Sequence, residues 1–213
     1  RAMYKNQLSR LRAAGLRKDH DVLDYGCGGG ALVKFLRAAG YANVQGFDEF
    51  SAQFGDRSVL ERRYDLIVSQ DVLEHVPDPW TFLHTLNGLI KPGGVLVIGT
   101  PNADDIDLKD PEARVHALHQ PYHRNIFSKA ALTSIGERLP WTLERYYPTQ
   151  YSNTLVPFVN SRFVLHYFKQ CDDMLDLAVE PIHATNIKLY TLPTLFWAFF
   201  GGFFAPESDV TVV

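Results

Sequence analysis

The stretch Val22-Leu-Asp-Tyr-Gly-Cys-Gly-Gly-Gly-Ala31 concentrates residues able to hold a ligand. A short apolar run ends on the carboxylate of Asp24. Gly26, Gly28 and Gly30 then surround Cys27, and a helical pattern opens at Ala31. A glycine turn between strand and helix lets the chain reverse sharply and lets a ligand approach the backbone where no Cβ stands in the way. The spacing alone leaves the ligand open. Gly26, Gly28 and Ala31 also satisfy the dinucleotide pattern G-x-G-x-x-G/A, and a tight turn holding nothing has the same composition. Asp24 discriminates between these options. A pyrophosphate would meet a partly desolvated negative charge there, and such like-charge contacts cost several kcal/mol. S-adenosylmethionine instead brings an ammonium and a sulfonium and carries no phosphate, so the acid favours it over NAD. Asp48 closes the next strand pattern about 20 residues past the turn, where a carboxylate can accept hydrogen bonds from both ribose hydroxyls. Taken singly, Asp48 would equally suit a turn or a helix cap.

Two histidine-bearing segments could move protons. Glu74-His75 follows the apolar run Tyr64-Asp-Leu-Ile-Val-Ser69, and His119-Gln-Pro-Tyr-His-Arg-Asn125 follows Val95-Leu-Val-Ile98. Both fall at the carboxyl edge of a parallel sheet, where open α/β sheets bind ligands. A methyl group can be passed to a hydroxyl or carbon acceptor only if a proton leaves, and histidine is the usual base near neutral pH. His123 is the expected base with His75 beside it, and His119, Tyr122 and Arg124 are expected to contact the acceptor. The competing reading of any one of these histidines is a helix cap or a hydrated surface ring. His116, His119 and His123 suggest a metal, but no fourth ligand has convincing spacing, so none is expected.

The elements that must position these groups alternate between strand and helix as far as Tyr147. Arg1 to Leu16 reads as an amphipathic helix and not as a leader peptide. Ala31 to Ala39 has helical spacing and Gly40 stops it. Val44 to Phe47 is a strand. Trp80 to Ile90 is a helix with Phe82, Leu83, Leu86 and Leu89 on one side, and Lys91-Pro-Gly-Gly94 is a turn. Ser128 suits an N-cap for a helix over Lys129 to Arg138. Trp141 to Tyr147 and Asp209 to Val213 read as strands. The stretch between Asp48 and Tyr64 is short for a helix plus a strand, which predicts a trimmed or irregular sheet edge.

These segments resemble the successive motifs of class I, Rossmann-like S-adenosylmethionine-dependent methyltransferases. The residues that carry the likeness are Leu23-Asp-Tyr-Gly-Cys-Gly-Gly-Gly30, Gly46-Phe-Asp48, the run from Tyr64 through Glu74-His75 to Pro79, and Leu89-Ile-Lys-Pro-Gly-Gly-Val-Leu96. The likeness covers roughly two thirds of the chain, from about Leu16 to Tyr147. It is strongest to small-molecule members resembling ubiquinone-biosynthesis, polysaccharide and natural-product methyltransferases. It implies a doubly wound α/β fold with a mostly parallel seven-stranded sheet and helices on both faces. It also implies that Asp24 and Gly26 hold the methionine moiety, that Asp48 holds the ribose, and that Gln70 and Asp71 line the donor pocket. Family members often carry a similar histidine segment just before a helix. Where they place a further helix and an acidic residue near adenine, this chain offers only Asp56.

Composition sets the outer limits. The 213 residues suit one α/β domain, here divided into a core over 1–147, an aromatic-rich helical insertion over 148–208 and a last core strand over 209–213. A net charge of −3, from 21 basic and 24 acidic side chains without a basic run, lacks the footprint of a nucleic-acid binder. Cys27 and Cys171 make neither a disulfide framework nor a zinc site, which points to a reducing, cytoplasmic setting. The run from Leu195 to Ala205 is apolar and aromatic but falls short of the about 20 residues that a membrane span needs. The insertion can cap the acceptor site, pack as a plain helical appendage, or expose a patch to a membrane face or a second copy. The expected activity is methyl transfer, to oxygen, of a small molecule or a glycan or lipid precursor. The same residues leave two alternatives: a non-catalytic module that binds S-adenosylmethionine or S-adenosylhomocysteine, and after it an NAD-dependent oxidoreductase.

Overall fold

Continuous apolar runs, rather than alternating ones, mark strands covered on both faces, and that is how the central strands lie. The computed structural model describes residues 2–106, 109, 122–170, 191–204 and 209–213. Helix α1 (Ala2–Ala13) leads to β1 (Val22–Tyr25), α2 (Ala31–Ala38), β2 (Val44–Phe47), β3 (Tyr64–Gln70), α3 (Pro79–Leu89) and β4 (Ile90–Pro101). Then come α4 (Lys129–Arg138), β5 (Tyr146–Tyr147), α5 (Ser161–Gln170), α6 (Leu192–Phe200) and β6 (Asp209–Val212). The strands pair in the order β2-β1-β3-β4-β6-β5. The first four run parallel, and β6 is antiparallel to both β4 and β5.

Side-chain alternation sorts the core into two layers. Leu23, Ile67 and Ile98 join Phe82, Leu83 and Leu86 of α3 and Leu132 and Ile135 of α4. Val22, Leu66, Val68 and Val97 join Leu8 and Leu11 of α1 and Leu32, Val33 and Leu36 of α2. Each such leucine, fully buried, contributes about 1.5–3 kcal/mol. The chain winds from β1 outward to β2 and then returns across β1 to β3, so the order reverses between β1 and β3. The loops after those two strands therefore diverge and leave a crevice at their carboxyl ends, the place where doubly wound sheets take ligands.

Among the described residues the sheet has six strands. The trimmed edge expected after Asp48 stands, while the turn at 91–94 and the strand over 141–147 need correction. The 15 residues between Asp48 and Tyr64 form only a short 3-10 helix (Arg57–Glu61), and Asp56 caps it by accepting the Ser58 N–H at 2.9 Å, so that acid serves the local fold. Residues 91–94 are not a turn before a strand but a bulge inside β4. Tyr64 pairs with Ile90 and Leu66 with Val95, and Lys91 pins the bulge through 2.8 Å contacts to Asp21 and Asp65. The strand foreseen over 141–147 shrinks to Tyr146–Tyr147, because Trp141 turns inward, against the core, and donates to Asn87 Oδ1 at 2.8 Å. Other expectations stand: Ser128 caps α4 by accepting the Ala131 N–H at 3.0 Å, and the chain closes on strand β6.

Candidate active site

The glycine turn is built for a sharp reversal. Gly26 has φ 81°, and a Cβ there would lie 2.2 Å from Val72 Cγ2. Its N–H and that of Cys27 both donate to Phe47 O, at 2.7 and 3.1 Å, which ties the turn to the end of β2. Gly28 has φ 52°, and a Cβ there would meet nothing within 4 Å. Its N–H donates to Asp48 Oδ2 at 2.8 Å, while Asp48 Oδ1 accepts from the Phe50 N–H at 2.9 Å. Gly30 is closed off by the Phe54 ring and faces the core rather than a ligand.

A cavity of about 270 Å3 lies against this turn. Asp24, Gly26, Cys27, Gly28, Gln70 and Asp71 line it from the sheet side. Asp48 and Gly30 fall outside its lining. Five lining residues were given no site role by the sequence reading: Ala31 and Leu32 of α2, Tyr4 and Gln7 of α1, and Tyr151. For Gln7 there was a signal. It shares the buried face of an amphipathic helix with Leu8 and Leu11, and a lone amide on such a face is the informative exception. Tyr151 carried none, since its place depends on how the chain folds back after β5.

The cavity is short of positive charge. Asp24 is 6% exposed, and burial, helped by the charge of Asp48, pushes its carboxyl up to about 7. Asp71 opens onto solvent but sits in a recess of protein atoms that pushes it up to about 6, against a downward pull from His75. Its φ of 56° is a strained left-handed conformation for an aspartate. Burial, then Asp24 and Asp48, push the Cys27 thiol up to about 12, so it remains protonated and is no nucleophile. Gln7 Nε2 and Oε1 and Gln70 Nε2 are buried without a hydrogen-bond partner. Unpaired acids together with unpaired amides suit a ligand bearing both cations and a carboxylate. S-adenosylmethionine fits that description, so the residues present fit the donor.

The loops after β3 and before α4 are stitched together at the mouth. Arg124 and Asn125 donate backbone N–H groups to Glu74 O at 2.7 and 3.1 Å, and Asn125 Nδ2 donates to Val76 O at 2.9 Å. The rings of His75 and His123 meet edge to face, with centroids 4.8 Å apart. His75 Nδ1 lies 3.0 Å from Tyr122 O, so it is the nitrogen that donates there, and Nε2 lies 3.9 Å from Glu74 Oε1. Glu74 is 1% exposed and accepts from Thr100 Oγ1 at 3.1 Å. His123 is buried, Tyr122 and Arg124 are exposed, and His119 lies outside the described residues. Glu74, His75 and His123 each offer a possible metal-ligating atom, all within 4.8 Å of one another. A larger cavity, about 570 Å3, opens beside Gly93, Gly94 and Trp141 and includes none of the predicted site residues.

Comparison with known proteins supplies the remaining findings. A methyltransferase-domain family profile matches residues 2–145. The ubiquinone biosynthesis O-methyltransferase of Actinobacillus pleuropneumoniae is 33% identical over 107 residues, which is 38% of this chain and 45% of that protein. The chain thus spans under half the length of that relative. The enzyme of the same description from Erwinia tasmaniensis is 25% identical over 185 residues, covering 71% of this chain and 76% of that one. The solved structure of an S-adenosylmethionine dependent methyltransferase from Mesorhizobium loti superposes with a TM-score of 0.55 at 15% identity, over 97% of this chain and 96% of that one, which shows a common fold.

Proposed function

The chain belongs to the class I S-adenosylmethionine-dependent methyltransferase family, and from that premise we propose that it methylates an oxygen of a small molecule or of a glycan or lipid precursor. The observation that carries the reading is the pair of raised carboxylates, Asp24 and Asp71, in one cavity beside the glycine turn. When bound, S-adenosylmethionine supplies an already activated methyl group on its sulfonium. The chain's own residues bind and orient. Asp24 and Asp71 balance the positive charges, and the open flank of Gly28 leaves room for the nucleoside. Asp48, held by the Gly28 and Phe50 amides just outside the cavity lining, would accept from the ribose hydroxyls. Holding acceptor and methyl carbon at attack distance can itself supply several kcal/mol.

A hydroxyl acceptor must also lose its proton. His75, close enough to Asp71 to pull on its charge, and His123 packed against it are the receiving groups of this reading, with a carboxylate oxygen of buried Glu74 within 4.8 Å of both. Relatives that methylate oxygen support this assignment of the acceptor atom. No metal is required by the step. Tyr122 and Arg124, exposed at the mouth, would touch the acceptor, and His119, outside the described residues, precedes Tyr122 by three positions in the sequence. Among the described residues no helix is long and apolar enough to cross a membrane. The exposed rings of α6 and the 3-10 turn after it, among them Phe199, Phe200 and Phe203, form the surface through which acceptor enclosure, a homodimer or a peripheral membrane contact would work.

The test is His123→Ala with an acceptor found by screening hydroxyl compounds against labelled donor. S-adenosylhomocysteine affinity should stay unchanged while turnover falls roughly 100-fold or more, and a chelator should leave wild-type turnover intact. Turnover within about threefold of wild type removes His123 as base, and loss of activity on chelation reassigns the Glu74, His75, His123 cluster to a metal.

A further inference from the structure

Resting on the donor reading above, we propose that Gln7 recognises the carboxylate at the amino-acid end of the donor, making this a site that reads that group with a neutral amide instead of a cation. A carboxylate entering the cavity meets acids first. Asp24 and Asp71 repel it, and among the described lining residues there is no lysine or arginine. Within the glycine turn four amides are already committed: Gly26 and Cys27 donate to Phe47 O, Gly28 to Asp48, and Gly30 to Cys27 O at 2.8 Å. The first N–H groups of α2, on Ala31 and Leu32 beside the cavity, remain as backbone donors. Two side-chain amides, those of Gln70 and Gln7, line the cavity as well. Gln70 packs its amide onto Gly99, where a Cβ would overlap it, and its Nε2 is buried without a partner. Gln7 is different: it is 2% exposed, lines the cavity, and has both Nε2 and Oε1 without partners.

The protein also fixes Gln7 in place. Asn6 Nδ2, one residue before it, donates to Tyr151 O at 2.8 Å and Asn153 O at 3.1 Å. Arg10, one turn later, donates to Thr149 O at 2.7 Å. Tyr4, one turn earlier, stacks on Tyr151 with centroids 6.4 Å apart. Leu8 and Leu11 anchor the same helix in the core. An unpaired buried amide disfavours the empty fold, so a helix tied down this firmly around one is expected to present it to a ligand. In the filled site Nε2–H donates to the carboxylate, and Oε1 can accept from the neighbouring ammonium.

The test is calorimetric, with two probes that differ only at the amino-acid end. S-adenosylhomocysteine carries the carboxylate, and 5′-methylthioadenosine lacks the whole amino-acid end. Gln7→Leu should weaken S-adenosylhomocysteine roughly 10- to 100-fold, the loss of a hydrogen bond to a charged group, while leaving 5′-methylthioadenosine unchanged. The ligand-free variant should melt at the wild-type temperature or above, which a purely structural glutamine would not allow. Gln7→Met serves as the second variant if Gln7→Leu does not fold. Equal weakening of both probes, or of neither, overturns the proposal. If wild type binds neither probe, the donor reading itself has failed and the proposal with it.

Discussion

At the scale of single residues the site is governed by Asp24. Its carboxyl, ordinarily near 3.8, is raised to about 7 by burial and the charge of Asp48. Between those values the folded protein keeps a proton that the unfolded chain has released. Stability of the ligand-free protein therefore falls as pH rises through that window, and it is fully present only below it. A cationic ligand reverses the preference, because it favours the ionised form. Binding of S-adenosylhomocysteine, whose ammonium is positive, should release a proton near pH 6–7 and tighten as pH rises through about 7. Asp24→Asn should melt higher than wild type at pH 8 yet bind the ligand roughly 10- to 100-fold more weakly. Titrations in buffers of different ionisation enthalpy measure the proton count, and proton uptake or no transfer would show that Asp24 does not meet the cation. Asp24, the glycines and Asp48 were readable because type, order and spacing all coincide in one short stretch. Gln7 showed only as an amide on the buried face of a helix, and Tyr151 not at all, since each acquires its place in the cavity through contacts between distant parts of the chain, such as Asn6 with Tyr151.

At the scale of elements, the donor cavity has one wall contributed by the sheet and another by α1, which is clasped to residues 149–153. Arg10 is central to that clasp. It donates to Thr149 and to Gln150 O, and its guanidinium lies 4.7 Å from the Tyr147 ring centroid. Arg10→Ala should cost about 1–3 kcal/mol of stability and speed dissociation of S-adenosylhomocysteine several-fold, because the wall carrying Tyr4 and Gln7 loosens. Stopped-flow displacement reads the off-rate, and an unchanged rate would mean that α1 does not gate the cavity. The central elements were legible in the sequence where a long apolar run or a helical face leaves one choice, as in β3 and α3. The bulge at 91–94 was not, because Pro92-Gly-Gly94 looks like a turn until β3 pairs on both sides of it. Nor was the short β5, whose preceding residues follow Trp141 into the core.

At the scale of the whole molecule, the order β2-β1-β3-β4 brings the loops after β1 and β3 to one crevice, and the segment before α4 joins them at its mouth. That arrangement unites Asp24, the glycine turn, Asp71 and the histidine pair, although they are spread over a hundred residues of chain. Its central requirement is that the crevice accept a sulfonium or ammonium ligand and refuse a phosphate-bearing one. Calorimetric titration of the wild-type protein with S-adenosylhomocysteine and, separately, with NAD measures this directly, with Asp48→Ala to localise the heat. S-adenosylhomocysteine should bind saturably to wild type and more weakly to Asp48→Ala, and NAD should give no heat. Saturable binding of NAD, or a folded wild-type protein indifferent to S-adenosylhomocysteine, would contradict that requirement.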